Sequence, residues 1–227
     1  MKLKKELKTR RIEERQTEFH DSEGAHYFLS KKNVMNDLER LKSVIEHFQK
    51  LTDEAWLDLQ SLFSYTELRK GEYFVQEGTR NDAVAFVLEG AMRAYYVDQE
   101  GTFYNKTFFT ENTFAASLGS ILEDIPSFLN FDALVDTKIL RANYNRIAAL
   151  FEKHRCIESL IRKIIEYEWV IKKEQRELRL VLNDATERYA YFREEYPGLE
   201  NKIPQYHIAS HLGITPIQLS RIRAGRN

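Results

Sequence analysis

The chain has 227 residues, 43% hydrophobic and 30% charged, which suits one to two domains with a packed core and a soluble surface. A net charge of −1 gives no global attraction to nucleic acid, so any basic surface must be local. The single cysteine, Cys156, excludes a disulfide framework within the chain and an iron–sulfur cluster held by its own thiolates, and reads as a structural thiol on a helix.

In chain order, residues 1–34 crowd Lys2, Lys4, Lys5, Lys8, Arg10, Arg11 and Arg15 into a stretch with few apolar residues and no sustained periodicity. Two readings stand: an extension upstream of a natural start at Met35, or a basic arm that touches DNA phosphates. From Met35, Leu38, Leu41, Ile45 and Phe48 recur at helical spacing. Thr52 followed by Ala55, Trp56, Leu59 and Phe63 predicts a second, capped helix. No stretch is apolar enough to span a bilayer and no signal-peptide core appears, so a cytoplasmic protein is expected.

Residues 64–143 change character. Short β-forming runs at 73–75, 84–88, 92–97 and 103–109 alternate with turn signals at Gly71, Gly78, Gly90 and Gly101. This rhythm predicts an antiparallel sandwich or barrel, with Asp98–Gly101 as a hairpin connection and a late strand over Leu134–Leu140. A helix is expected from Tyr144 to about Leu182. Its apolar stripe includes Ile157, Leu160, Ile161, Ile164, Ile165 and Ile171. Such a stripe fits a helix packed on its own β domain. Its width also fits burial on two sides, with Ile157, Ile161 and Ile164 forming a dimer seam. Asn183-Asp184 with Glu187 caps a further helix that Pro197-Gly198 stops, which makes this break a candidate hinge.

The last segment, Q-Y-H-I-A-S-H-L-G-I-T-P-I-Q-L-S-R-I-R-A (205–224), has helix-turn-helix spacing. Ile208, Ala209 and Leu212 face inward, Gly213 supplies the left-handed turn, Thr215 caps the second helix and Pro216 opens it. Leu219 and Ile222 return to the core. From Asn201 to Asn227 there are Lys202, Arg221, Arg223 and Arg226 and no acidic residue. A unit of this kind lays its second helix in the DNA major groove, and local cations neutralise phosphate. Thr215, Gln218, Ser220, Arg221 and Arg223 are the expected DNA contacts, with Arg221 the candidate for guanine and Arg223 and Arg226 for phosphate or solvent. Pro216 and Ile217 offer no side-chain hydrogen bonds to bases, which leaves room for thymine-methyl contact or shape readout. His207 and His211 could pair on a metal, but are expected to be surface histidines.

The order of these parts resembles the Crp/Fnr family of bacterial transcription regulators. The resemblance covers roughly Met35–Arg226. It rests on K-G-E-Y-F-V-Q-E-G (70–78), F-V-L-E-G (86–90), Y-Y-V-D-Q-E-G (95–101), A-T-E-R-Y (185–189) and I-A-S-H-L-G-I-T-P-I-Q-L-S-R-I-R (208–223), the last two most like the branch common in Bacteroidetes. It implies an α+β chain: an antiparallel β-roll, a cyclic-nucleotide-binding-like jelly roll, with flanking helices, a long dimerisation helix and a C-terminal helix-turn-helix domain. The expected divisions are 1–34, 35–150, 151–182 and 183–227. Family members that bind cyclic nucleotides carry a Gly-Glu pair and, about ten residues on, an Arg in a phosphate cassette. Here the cassette reads F-A-A-S-L-G-S-I-L-E-D-I-P-S-F (114–128), with Ser117 at the Glu position and Ser127 at the Arg position. Phe114, Ser117 and Ser127 are the expected effector-pocket residues. A phosphate buried without its Arg lacks a charge-assisted bond, so cyclic AMP is not the expected ligand. Family members often continue into a wing after the second helix, whereas this sequence stops at Asn227.

From Gln49 to Lys153 there is no His or Cys, which argues against a haem or metal sensor and against a cupin-type enzyme. No Gly-rich phosphate loop, Ser-His-Asp set or acidic pair stands out. The expectation is a non-enzymatic, homodimeric DNA-binding regulator without a cofactor or metal. Double-stranded DNA is its partner, with RNA polymerase added if it activates and a small-molecule effector left open. The alternatives are a cyclic-nucleotide-responsive regulator with an altered cassette, and an enzyme on a β-barrel.

Overall fold

The computed structural model of the protein describes residues 36–225, so the basic segment 1–34, Met35 and Arg226 lie outside the described residues. Helix α1 covers 36–46 and buries Leu41 and Ile45. Helix α2 (Asp53–Gln60) starts as its sequence predicts: the Thr52 side chain accepts a hydrogen bond from the Ala55 N–H at 3.2 Å, and Ala55, Trp56 and Leu59 are buried.

Eight strands follow: β1 (Ser64–Leu68), β2 (Tyr73–Val75), β3 (Ala83–Glu89), β4 (Ala91–Val97), β5 (Phe103–Thr110), β6 (Phe114–Ala115), β7 (Asn130–Ala133) and β8 (Thr137–Asn143). They form two four-stranded sheets, ordered β1-β8-β3-β6 and β2-β7-β4-β5, with every pairing antiparallel. The inward-facing Val87, Met92, Ala94, Phe109, Phe131 and Ile139 from both sheets fill the space between them. Gly90 turns β3 into β4 at φ 96°. A Cβ there would lie 2.6 Å from the Asp136 carbonyl oxygen, so only glycine fits. The late strand begins three residues beyond its predicted start, at Thr137 instead of Leu134, and β7, only four residues long, alternates polar and apolar residues although all four are buried. Asn130 and Asp132 interrupt that strand yet are buried, because Asn130 accepts from the Glu77 N–H at 2.9 Å and Asp132 pairs with Arg93.

The expected continuous helix from Tyr144 is broken. Asn143 caps a short α4 (Tyr144–Ala148) by accepting from the Arg146 N–H at 2.9 Å. The chain turns, and α5 (Arg155–Ile165) starts after buried His154, whose Nε2 meets an Asp58 carboxylate oxygen at 2.7 Å. A π-helical turn, Glu166–Ile171, then joins α5 to α6 (Lys172–Leu182).

Helix α7 (Ala185–Glu195) opens with a full capping box between Asp184 and Glu187. Gly198, at φ 75°, ends that segment, and a 3-10 turn (Leu199–Asn201) leads to α8 (Gln205–Leu212) and α9 (Pro216–Arg223). Phe192, Leu199, Ile208, Leu212 and Leu219 from these helices share one apolar cluster with Ala91, Phe108 and Leu134 from the sheet region. The C-terminal helices are therefore docked on the sheet β2-β7-β4-β5.

Candidate effector cavity and nucleic-acid interface

A cavity of about 480 Å³ opens between the strands and the π/α6 segment. Its apolar wall includes Phe108, Phe131 and Leu118, and its rim is charged. Two of the expected cassette residues, Phe114 and Ser117, line it. Ser127 does not. It is buried behind the wall, where its Oγ lies 2.9 Å from Ser117 Oγ and donates to the Leu129 carbonyl at 2.8 Å. Ser120 completes this chain of hydroxyls, 3.0 Å from Ser117 Oγ. The three cassette hydroxyls are thus neutral and satisfy one another, and the one charge that the cassette brings to the cavity lining is Glu123.

A buried charged network lies outside the cavity, where α8 meets β4 and β5. Arg93 sits in the otherwise apolar run A-M-R-A-Y-Y-V of β4. It makes a two-pronged ion pair with Asp132, at 2.7 and 2.9 Å, with both side chains only about a tenth exposed (11% and 10%). Its Nη1 also donates to Asn105 Oδ1 at 3.1 Å and to His207 Nδ1 at 2.9 Å. Asn105 donates to the His207 carbonyl at 2.9 Å, and its own N–H donates to Ser210 Oγ at 3.0 Å. His211 Nδ1 donates to the Asn105 carbonyl at 3.1 Å. Arg176 of α6 donates to Tyr104 Oη at 2.7 Å and to the His211 carbonyl at 3.3 Å. This polar network fastens α8 to β5.

The two histidines expected at the surface are buried, and the reason is this docking. His207 is held down to about pKa 4, first by burial and then by Arg93 and Lys70. His211 is held down to about 3, first by burial and then by Arg176, against the pull of the Asn105 carbonyl. An arginine has no acceptor, so His207 Nδ1 must accept and the ring is neutral. Neither imidazole faces an open metal site. The signal in sequence was Asn105 and Arg93, polar residues on strands that are otherwise core.

The docking leaves α9 free. Thr215, Gln218, Ser220, Arg221 and Arg223 are all exposed, while Leu219 is fully buried. Gly213 adopts the left-handed conformation at φ 67°. Thr215 and Gln218 cap each other: the Gln218 N–H donates to Thr215 Oγ1 at 3.1 Å, and the Thr215 N–H to Gln218 Oε1 at 3.0 Å. Both side chains are therefore committed to the start of the helix. Arg188, from the A-T-E-R-Y motif, donates to the Leu212 carbonyl at 3.1 Å and so closes the end of α8.

The expected seam residues fall differently. Ile157 is 0% exposed and Ile164 is buried within this chain, and Ile161 is half-buried between them. Ile157 and Ile164 are taken up by their own core, so of the three expected seam residues Ile161 alone keeps part of its surface. Inward-facing positions continue through Glu168, Trp169, Lys172 and Arg176, which line the cavity. The apolar side chains of the second half, Tyr167, Val170, Ile171, Leu178, Val181 and Leu182, point outward instead.

Glu54, Asp58 and His154 bring three ligand-type atoms within 4.8 Å of one another, beside α2. Lys153 Nζ already stands 3.0 Å from Glu54 and 2.7 Å from Asp58. His154 and then Lys153 hold the Asp58 carboxyl below its usual range. The cluster is an ion-pair knot whose cation is the lysine.

No helix among the described residues is long and apolar enough to cross a membrane. Residues 65–154 match the family description "Cyclic nucleotide-binding domain". No curated protein matches the chain in sequence. Among solved structures, FixK2 from Bradyrhizobium japonicum superposes with a TM-score of 0.59 at 20% identity, over 72% of this chain and 83% of its own. The c-di-GMP-responsive global regulator CLP of Xanthomonas campestris gives 0.58 at 10% identity, over 77% and 91%. A protein from Eubacterium rectale, described as a transcriptional regulator of the Crp/Fnr family, gives 0.59 at 15% identity, over 77% and 83%. At such identities the likeness is one of fold: an α+β chain built on the antiparallel jelly roll of a cyclic-nucleotide-binding domain with flanking helices.

Proposed function

We propose that the protein is a cytoplasmic, homodimeric, sequence-specific DNA-binding transcription regulator of Crp/Fnr type, whose cavity takes an effector other than cyclic AMP. The observation that carries the reading is the α8–α9 pair: a left-handed glycine turn, a capped second helix anchored by Leu219, and an exposed face with Arg221 and Arg223. The first helix buries its back on the sheet and leaves the second free to enter a groove. The outward stripe Tyr167, Ile171, Leu178 and Val181 steps by four, seven and three residues, which is coiled-coil spacing interrupted at Glu174. We place the dimer seam there. Arg176 joins the cavity wall to α8 and gives an effector a direct contact with the reading unit. DNA is the partner, with RNA polymerase added if the regulator activates. No catalytic role, cofactor or metal is assigned.

Selection of double-stranded DNA from a random library by the full chain tests this. Enrichment of a two-fold symmetric site supports it, and absence of any enriched sequence overturns it. A second reading, a cyclic-nucleotide-responsive regulator with an altered cassette, is favoured by the match over residues 65–154. Calorimetry with cyclic nucleotides separates the two.

A further inference from the structure

The cavity is electrically lopsided. On the cassette side, Ser117, Ser120 and Ser127 satisfy one another and the one charge on the lining is the carboxylate of Glu123. At the other end, Lys106 from β5 and Lys173 and Arg176 from α6 line the same space. Lys106 is there because β5 carries an extra residue. Ala94 pairs with Thr107 and Tyr95 with Asn105, which leaves Lys106 unmatched in a β-bulge. The bulge also reverses the alternation of the strand. Asn105 and Phe108 both face the C-terminal helices, while Phe109 faces the core between the sheets. A bulge that turns a lysine into a cavity costs a ladder hydrogen bond, and bulges of this kind gather at binding sites.

The α6 side is equally pointed. In α5 the inward face is apolar, with Ile157, Leu160 and Ile164. After the π turn it becomes cationic, while the apolar side chains face outward. Most of the carboxylates on the cavity wall already have partners: Glu168 pairs with Lys172 at 2.9 Å and Glu195 with Arg179 at 3.5 Å. Although Lys106 as a whole is exposed, its ammonium is pushed below its ordinary pKa, first by loss of water and then by Lys173 and Arg176. Glu177 stands 3.7 Å from Lys173, but both side chains are more than half exposed and such a pair is worth little in water, so three cations gathered beside an apolar wall still offer an anion a site.

We propose that the cavity binds a small amphiphilic anion, its phosphate or carboxylate held by Lys106, Lys173 and Arg176, and its aromatic or apolar body against Phe108, Leu118 and Trp169. The site lies at the far end from the cassette, so the ligand is anchored at the helix. The proposal rests on the effector-cavity reading above and gives that cavity its ligand class.

Two fluorescent probes test it on the full chain. One is 8-anilinonaphthalene-1-sulfonate, and the other is N-phenyl-1-naphthylamine, which has the same kind of aromatic body without the sulfonate. The chain has two tryptophans, so in a Trp56→Phe background Trp169 alone reports on the cavity. Both probes should quench Trp169. Lys106→Gln and Lys173→Gln, each at an exposed position, should weaken the sulfonate about tenfold and leave the neutral probe unchanged, because a charge-assisted contact is lost. Lys50→Gln, which removes the same charge at an exposed residue that does not line the cavity, should change neither. Phenyl phosphate or benzoate should displace the sulfonate, and whichever competes better identifies the anion as phosphate or carboxylate. Neutral-probe quenching with a sulfonate affinity indifferent to both lysines, or displaced by neither competitor, overturns the anion site and leaves the effector cavity standing. Failure of both probes to reach Trp169 overturns the effector cavity itself.

Discussion

Ser117 Oγ and Ser127 Oγ, ten residues apart in sequence, meet at 2.9 Å in a buried chain of hydroxyls. These are the two positions at which the resemblance calls for a ribose-binding carboxylate and a phosphate-binding guanidinium. Their mutual hydrogen bond satisfies each without a ligand, and neither carries a charge.

Cyclic AMP is therefore expected not to bind at physiological concentrations. Its phosphate would give up hydration for neutral hydroxyls that already have partners. Calorimetry on the full chain should show no saturable heat, and a micromolar dissociation constant would contradict the expectation.

The seam prediction separates two faces of one helix. Leu178→Asp with Val181→Asp places charges on an outward face where Val181 is 83% exposed. The double variant should sediment as a folded monomer with an unchanged melting temperature at low concentration. Ile164→Asp instead buries an unpaired charge in the core and should unfold the chain. If the Leu178/Val181 variant remains dimeric, the seam lies elsewhere.

Asp132→Asn should destabilise the docked arrangement by about 3–5 kcal/mol, because Arg93 would stay buried without its counterion. Denaturant unfolding measures this, and amide exchange should show α8 losing protection. A loss of less than about 1 kcal/mol, the range of a surface pair, would mean that the pair carries no weight in the docking.

Acid should release the same contact. The folded pKa values of His207 and His211, about 4 and about 3, lie below the ordinary histidine value of 6.5. The unfolded chain thus takes up protons first. The stability contributed by the neutral rings is present above pH 6.5 and is lost as the pH falls toward about 4 for His207 and about 3 for His211. The melting temperature should decline across that window, and less steeply in His207→Gln, which cannot titrate.

Arg221→Ala should cost about 1–3 kcal/mol on the best DNA site and relax preference at one base position. Arg223→Ala should weaken all sequences alike and reduce the salt dependence by about one phosphate per subunit. Binding to a randomised site library at two salt concentrations reads both. An unchanged preference in Arg221→Ala would displace α9 as the reading helix in favour of shape readout.

Local signals were legible wherever a residue acts on its own backbone. Thr52, Asp184 and Thr215 cap helices, Gly90, Gly198 and Gly213 turn the chain, and the β-forming runs of β2 to β5 alternate with turn residues; each sits where sequence places it. The antiparallel β architecture follows from that rhythm. Tertiary structure decided the rest, because it depends on partners distant in sequence. Asn130 and Asp132 are buried in β7 because Glu77 and Arg93, distant in sequence, satisfy them. His207 and His211 read as surface residues until β5 covers them. Ile157 and Ile164 fit a partner helix as well as their own core, since periodicity shows which face is apolar and not what covers it. Lys106 is one lysine among many until an unmatched residue in the β4–β5 ladder turns it toward Lys173 and Arg176. Spacing fixes direction along a helix or strand; only the packed fold brings charges from separate elements into one cavity.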